Sequence, residues 1–257
     1  MMGAGRRVRA LPIAIALAMA LVGCAPTGPE GGGSATASPP NGPDPATIRY
    51  SCVGPPGFLP ALFDEPAIAE TEDHPSAAAL RDAVTDKASG LAGFLPVSGY
   101  WLVHRDEREA QYIARLPVEL DSPFGYLTVQ AKGANWTPAG GGACRPEVLL
   151  EDQSPATWTL QPNRPAPGRS TMEFTALVTE TACTGGEPVD RRLLPPSITY
   201  TDDAVLIVFA ASPLQGIATC QGIAPTEAVV RLREPLGDRQ LLDAGVFPPA
   251  EPVAPGF

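Results

Sequence analysis

Leu11 to Val22 is an apolar run of Leu, Ile, Ala, Met and Val, interrupted by Pro12 and preceded by Arg6, Arg7 and Arg9. It is too short to span a bilayer, which takes about 20 apolar residues, and its basic flank makes it the pattern of an export leader that is removed. This constrains the fold more than any other feature. What folds is the chain after the leader, and it folds in an oxidising compartment where cysteines pair. Four cysteines lie in that part, Cys52, Cys144, Cys183 and Cys220, and two disulfides are expected of them. Three pairings are open. Cys52 with Cys144 and Cys183 with Cys220 is the preferred one, because neighbouring cysteines then close two units without crossing. Loop-closure entropy gives each bridge roughly 4 to 5 kcal/mol. No Cys-x-x-Cys pair occurs and neither His74 nor His104 lies at ligand spacing from a cysteine, so no metal and no cofactor is expected.

The leader ends in Leu21-Val22-Gly23-Cys24. This resembles the lipobox of bacterial lipoprotein precursors, in which a small residue precedes a cysteine that is lipidated on sulfur and left as the first residue. The resemblance implies that residues 1–23 are a lipoprotein signal peptide. It also implies that Cys24 carries a thioether-linked diacylglycerol and that the protein sits on the extracytoplasmic face of the cell membrane. Two acyl chains matter, because a buried methylene contributes about 0.8 kcal/mol and a single chain holds a membrane only reversibly.

The formal charge of the whole chain is −10, and the leader removes three arginines and no acid, so the mature protein is more acidic still. An acidic surface repels phosphate backbones and anionic leaflets, which excludes nucleic acid as a partner and electrostatic docking on a membrane. Anchoring then falls to the lipid on Cys24.

Residues 24–46 are Pro, Gly, Ser, Thr and Ala with a few acids. Nothing there is large and apolar, so the segment reads as a disordered tether with a reach of about 25 Å. The run 247–257 has the same character and reads as a disordered tail. Between them, residues 47–144 read as a small α+β unit and residues 145–246 as a β-sandwich unit. One helix is expected, capped by Asp73, with Pro75 in its first turn and Ala77, Leu80, Val84, Ala88 and Leu91 on one stripe. Strands are expected at 47–53, 100–104, 111–116 and 125–131, the last with clear two-residue alternation.

Past Cys144, short apolar runs separated by proline clusters place strands at 156–160, 172–179, 197–201, 204–211, 228–232 and 239–243. Ala204-Val205-Leu206-Ile207-Val208-Phe209-Ala210-Ala211 is continuously apolar, which is the pattern of a strand covered on both faces. The expected fold is mainly β, α+β overall: a small N-terminal sheet with one helix, then an immunoglobulin-like β-sandwich. Trp101, Trp136 and Trp158 are expected in the core rather than on a sugar-stacking platform.

No Gly-x-Ser-x-Gly, Ser-x-x-Lys, His-Glu-x-x-His or glycine-rich phosphate loop is present, so no catalytic residue is assigned by motif. The weak candidates are His104 as a general base with Asp106 or Glu109 beside it. His74 with Glu70, Glu72 and Asp73 is a weak hard-metal or zinc grouping, and a solvated acidic loop leading into a capped helix explains the same residues without a metal. In 234–243, Arg239 and Asp243 would be contacts of a recognition loop; the preferred reading is a strand, a Gly237-Asp238 turn and a return strand burying Leu241 or Leu242.

The function expected from these features is that of a lipid-anchored, exported cell-envelope protein. It acts as a non-catalytic binding or interaction module whose partner is an envelope protein or a small ligand. The alternative is an envelope hydrolase with a divergent site around His104.

Overall fold

The computed structural model describes residues 42–117, 122–214, 216, 219–222 and 224–252. The leader, Cys24 and most of the tether lie outside the described residues. Among the described residues the protein is mainly β, with several antiparallel sheets and one α-helix. No described helix is long and apolar enough to cross a membrane.

The first sheet is a four-stranded antiparallel meander of β2 (Tyr100–Arg105), β3 (Glu109–Arg115), β4 (Phe124–Lys132) and β5 (Asn135–Cys144), in chain order. Alternation sends Ala110, Tyr112 and Ala114 of β3 to one face, where helix α1 (Pro75–Thr85) covers them with Leu80 and Val84. Ile113 and Phe124 go to the opposite face and join another core.

Helix α1 is shorter than its sequence stripe predicts. It ends at Thr85, and residues 87–89 form a separate 3-10 turn started by Asp86, whose carboxylate accepts from the Ala88 N–H at 2.9 Å. Its cap is His74 rather than Asp73. The ring Nδ1 of His74 accepts from the Ser76 N–H at 3.1 Å, and Pro75 fills the first helical position, where a missing N–H costs nothing.

Strand β5 is absent from the sequence reading, and for a physical reason. Pro138 and Gly140-Gly141-Gly142 are poor strand residues. Here β5 lies at the sheet edge, where Pro138 is tolerated beside a register shift opposite Thr128 and Val129. The glycine at 141 is needed for close packing, since a Cβ there would stand 3.1 Å from Leu127 Cδ1 and 3.3 Å from Leu91 Cδ1.

The C-terminal part is organised around β10 (Ala204–Ala211). Its first half lies between β9 (Ser197–Tyr200), antiparallel, and β12 (Gln240–Asp243), parallel. Its second half pairs with β7 (Ser154–Leu160), which continues to β8 (Glu173–Glu180) and then β11 (Thr226–Arg231), all antiparallel. All eight residues of β10 are buried. Val205, Ile207 and Phe209 enter one core with Trp158, Val178, Val230 and Leu241. Ala204, Leu206 and Val208 enter another with Tyr50, Phe58, Ile113, Phe124 and Val148.

That second core draws on both halves of the chain. β1 (Tyr50–Ser51) pairs with β6 (Glu147–Val148), and rings from distant segments meet beside them. Phe63 stacks on Phe247 at 5.2 Å and meets Phe58 and Trp101 edge-on at 5.3 and 4.8 Å. The Arg115 guanidinium lies 5.3 Å from the Phe63 centroid.

Both termini of the body extend further than composition predicts. The Gly42 N–H donates to Ile198 O at 2.9 Å and Asp44 caps the 3-10 turn Pro45–Thr47, so residues 42–46 are part of the fold. The run expected to trail off is ordered through residue 252. Phe247 fills the aromatic cluster, Ala250 exchanges backbone hydrogen bonds with Asp243, and Pro252 O accepts from Leu160 N–H at 2.9 Å. One apolar ring outweighed three prolines, Pro248, Pro249 and Pro252. The segment 239–243 is also not the return arm of a hairpin: β12 pairs with β10, in parallel, while β11 pairs with β8.

Cys52 is bonded to Cys144 and Cys183 to Cys220, with Cα separations of 5.8 and 4.3 Å. The first bridge closes 92 residues, ties the loop after β1 to the end of β5 and lies against the shared core. Replacing Cys52 and Cys144 together by Ala is expected to lower the unfolding free energy by about 4 to 5 kcal/mol. Urea titration under non-reducing conditions measures this as a fall in midpoint.

Candidate functional site

The candidate site is a cleft of about 360 Å³ between the loop after β1 and the segment joining β5 to β7. Its polar wall is Ser51, Arg145, Glu147 and Gln153; its apolar wall is Val53, Leu149, Leu150 and Pro155. The loop is held in three ways. Cys52 is bridged to Cys144, Ser51 Oγ donates to Gly54 O at 2.5 Å, and Arg49 Nη1 donates to Pro56 O and Gly57 O at 3.2 and 3.1 Å. Val53 stays nearly half exposed at the rim, at 45%.

Glu147, which lines this cleft, acts electrostatically on a second buried carboxylate, Asp243. Glu147 accepts from the Thr181 hydroxyl at 2.9 Å, and burial raises its pKa. Asp243 is 4% exposed and accepts from Gly245 N–H at 2.8 Å and Trp158 N–H at 3.3 Å. Burial pushes its carboxyl up to about 7, against those two N–H groups and Arg145, which favour the charged form. Glu147 adds to the upward push. Tyr50 donates its hydroxyl to Ala244 O at 3.2 Å, and burial, then the Asp243 charge, push its phenol up to about 12.

The cleft can take a small molecule or peptide end with a polar head on Arg145, Glu147 and Gln153 and an apolar body on Val53 and Leu149. Ser51 is no nucleophile here. Its Oγ donates to Gly54 O and accepts from Val53 N–H at 3.0 Å, which is a turn's hydrogen-bonding pattern.

His104 lies at the end of β2, after a bulge between Leu102 and His104, with about a third of its side chain exposed. Its Nε2 is 3.5 Å from Asp106 Oδ2. Asp106 belongs to the β2–β3 turn: its Oδ1 accepts from Arg108 and Glu109 N–H at 2.7 and 2.8 Å, and these hold its carboxyl below the ordinary range. Glu109 accepts amide N–H from Gln111 and Gln130 at 2.7 and 3.2 Å. The open groove beside His104 is lined by Pro55, Pro56, Asp106, Arg108, Glu109 and Gln130, none of which carries a hydroxyl. His104, Asp106 and Glu109 are therefore together, as the sequence places them, at a hairpin end: His104 near the end of β2, Asp106 in the turn and Glu109 at the start of β3.

The acids near His74 go to separate partners. Glu70, 8% exposed, accepts from Gly99 and Tyr100 N–H at 2.9 and 3.1 Å and fixes the start of β2. Glu72 pairs with Arg105 at 2.5 Å. Ser76, fully buried, touches His74 Nδ1 and the Tyr112 hydroxyl at 2.7 Å each and accepts from Arg105 Nε at 3.1 Å. This network is a capped helix end locked to the sheet. Arg239 folds back on its own loop, donating to Leu236 O, Pro235 O and Glu234, so it is no outward contact. The three tryptophans lie in or against three different clusters: Trp136 packs on the helix-covered core, Trp158 belongs to the β10–β8 core and Trp101 borders the shared aromatic core.

Sequence reasoning offered Asp243 only as an outward contact of a recognition loop, which its burial rules out, and did not single out Glu147 or Tyr50. No local signal marks the three, since they come from β12, β6 and β1. The chain matches no family model, no curated protein and no solved structure.

Asp243 gives a pH prediction. Its folded pKa lies above its unfolded value near 3.9, so its neutral form stabilises the fold, and that stability is lost as pH rises from about 4 to about 7. The size is on the order of 4 kcal/mol. Asp243→Asn is expected to gain on the unsubstituted protein across this window and to level off above pH 7. Urea midpoints for both proteins at pH 4.5, 6 and 8 measure the difference; a constant difference across the three would contradict it.

Proposed function

We propose that this is an exported, lipid-anchored protein of the cell envelope, held at the extracytoplasmic face by a diacylglycerol on Cys24. Its body is a non-catalytic binding module for an envelope protein or a small ligand. The observation that carries the export is the pairing of all four body cysteines in two bridges, downstream of Leu21-Val22-Gly23-Cys24. Bridged thiols belong to compartments outside the reducing cytosol. A lipobox-like sequence ahead of such a body supplies both the route out and the means of retention.

Binding without catalysis is the reading the clefts support best. The cleft lined by Glu147 mixes polar residues (Ser51, Arg145, Gln153) with apolar ones (Val53, Leu149, Leu150), the character of a ligand site. The hydrolase alternative has its histidine and carboxylates at the β2–β3 hairpin end, where Asp106 and Glu109 accept hydrogen bonds from turn N–H and amide groups. The C-terminal strands are read as an immunoglobulin-like sandwich. In support, β7, β8 and β11 share one core with β9, β10 and β12. The parallel β10–β12 pair is the feature such a sandwich must accommodate.

Anchoring is tested by intact-mass and peptide mass spectrometry of protein extracted from membranes. A diacylglyceryl mass on Cys24 as the first residue is expected, and Cys24→Ala is expected to move the protein from the membrane to the soluble fraction. An unmodified N-terminus on the membrane-extracted protein would overturn the proposal.

A further inference from the structure

The outer strands of the sheets are treated unequally. β9 is covered where Gly42 N–H donates to Ile198 O, and β12 where Ala250 exchanges hydrogen bonds with Asp243. β2 opens with its N–H groups on Glu70 and carries a bulge. β5 carries Pro138 and three glycines. These are the devices that keep a sheet edge from pairing with another chain. β11, Thr226-Glu227-Ala228-Val229-Val230-Arg231, has none of them. It pairs in unbroken register with β8 on one side, and among the described residues no strand lies on the other.

The register says which groups face that free edge. Leu232 N–H donates to Met172 O at 2.8 Å, so the even-numbered positions of β11 bond inward to β8. Glu227, Val229 and Arg231 therefore turn their N–H and C=O groups outward. Their side chains share the solvent face, with Val229 54% exposed between an acid and a base at equal spacing.

This edge is complementary to itself. An antiparallel copy placed with Val229 on a two-fold axis sets Val229 against its own counterpart and each Glu227 against the other chain's Arg231. The outward groups then form six main-chain hydrogen bonds, two at each of the three paired positions. Like charges opposite each other would block such pairing, and this arrangement has none. Arg231 lies 2.8 Å from Glu173 and Gln161 donates to Glu227 at 2.8 Å, both contacts exposed and within the chain's own sheet, so both charges lie on the solvent face and the copy's charges would join these contacts there. We propose that two copies of this protein associate through β11, extending the β11-β8-β7 sheet across a two-fold axis at Val229.

The test uses the full chain, exported from cells, with Val229→Cys as the added thiol and a short bismaleimide as cross-linker. Paired positions in such a ladder lie about 5.5 Å apart at Cα, within reach of the reagent. A product of twice the chain mass is expected. Thr175→Cys, one strand inward on the same face, is expected to give none, because its distance from its counterpart spans three strand spacings.

Adding Glu227→Arg or Arg231→Glu to Val229→Cys should lower the yield about ten-fold, since each places like charges opposite each other twice. A mixture of the two variants should restore it, because an all-basic strand then faces an all-acidic one. The proposal is overturned if Val229→Cys remains a monomer while both native bridges are intact, or if its product has another mass. It is equally overturned if Thr175→Cys cross-links as well, or if the charge variants change nothing and the mixture restores nothing.

Discussion

Strand β10 has no solvent face, and the rest of the structure is arranged to cover it. Its odd-numbered side chains fill the core under β7, β8 and β11, and its even-numbered ones fill the core shared with the N-terminal sheet. Its two backbone edges are used as fully: β9 on one side, β12 and then β7 on the other. A strand with eight apolar side chains and no polar one can be satisfied only this way, because each exposed position would leave apolar area in water at roughly 25 cal/mol per Å². The parallel pairing of β12 follows from this demand. A hairpin return from β11 would leave the first half of β10 open on that side.

The same demand explains where polar groups are buried. Bringing several segments to one strand forces chain ends and turns into the interior, and their backbone groups need partners there. Asp243 serves the turn that follows β12 and the N–H of Trp158 in β7. Glu70 serves the start of β2, and His74 and Ser76 the start of α1. Glu180 and Arg192 form a bidentate pair that also reaches Ser212 O at the end of β10. Most of the buried ionisable groups thus satisfy backbone at junctions. Glu147 differs in that it lines a cleft.

How much of this was legible in the sequence varies with how local the cause is. β10 was, since an unbroken apolar run of eight residues has few other fates. The alternating strands β3 and β4 were, and so was α1 apart from its cap and its last turn, where Asp86 begins a new 3-10 turn and ends the helix. β5 was not, because propensity speaks against Pro138 and three glycines while position at an edge and close packing of Leu91 speak for them. The ordered tail was not, because Phe247 is one residue in a proline-rich run and its reason for staying is a set of rings from residues 50 to 124. The cleft was the least legible. Its lining joins residues 51–54 to residues between 145 and 155, a separation in sequence beyond anything a motif can encode.

Confinement bears on how β11 can act. An edge-to-edge contact of six main-chain hydrogen bonds and two exposed charge pairs buries little area, and interfaces of that size are weak in free solution. Under the anchoring proposed above, two copies would diffuse in a plane rather than in a volume, each on a tether with a reach of about 25 Å. Encounter within such a layer acts as a raised effective concentration, which converts a weak contact into a populated one without any new interaction. It also accounts for an edge left open among the described residues: pairing through β11 closes at two copies, because the two-fold axis uses the edge of each, and so adds no further edge along which a fibre could grow.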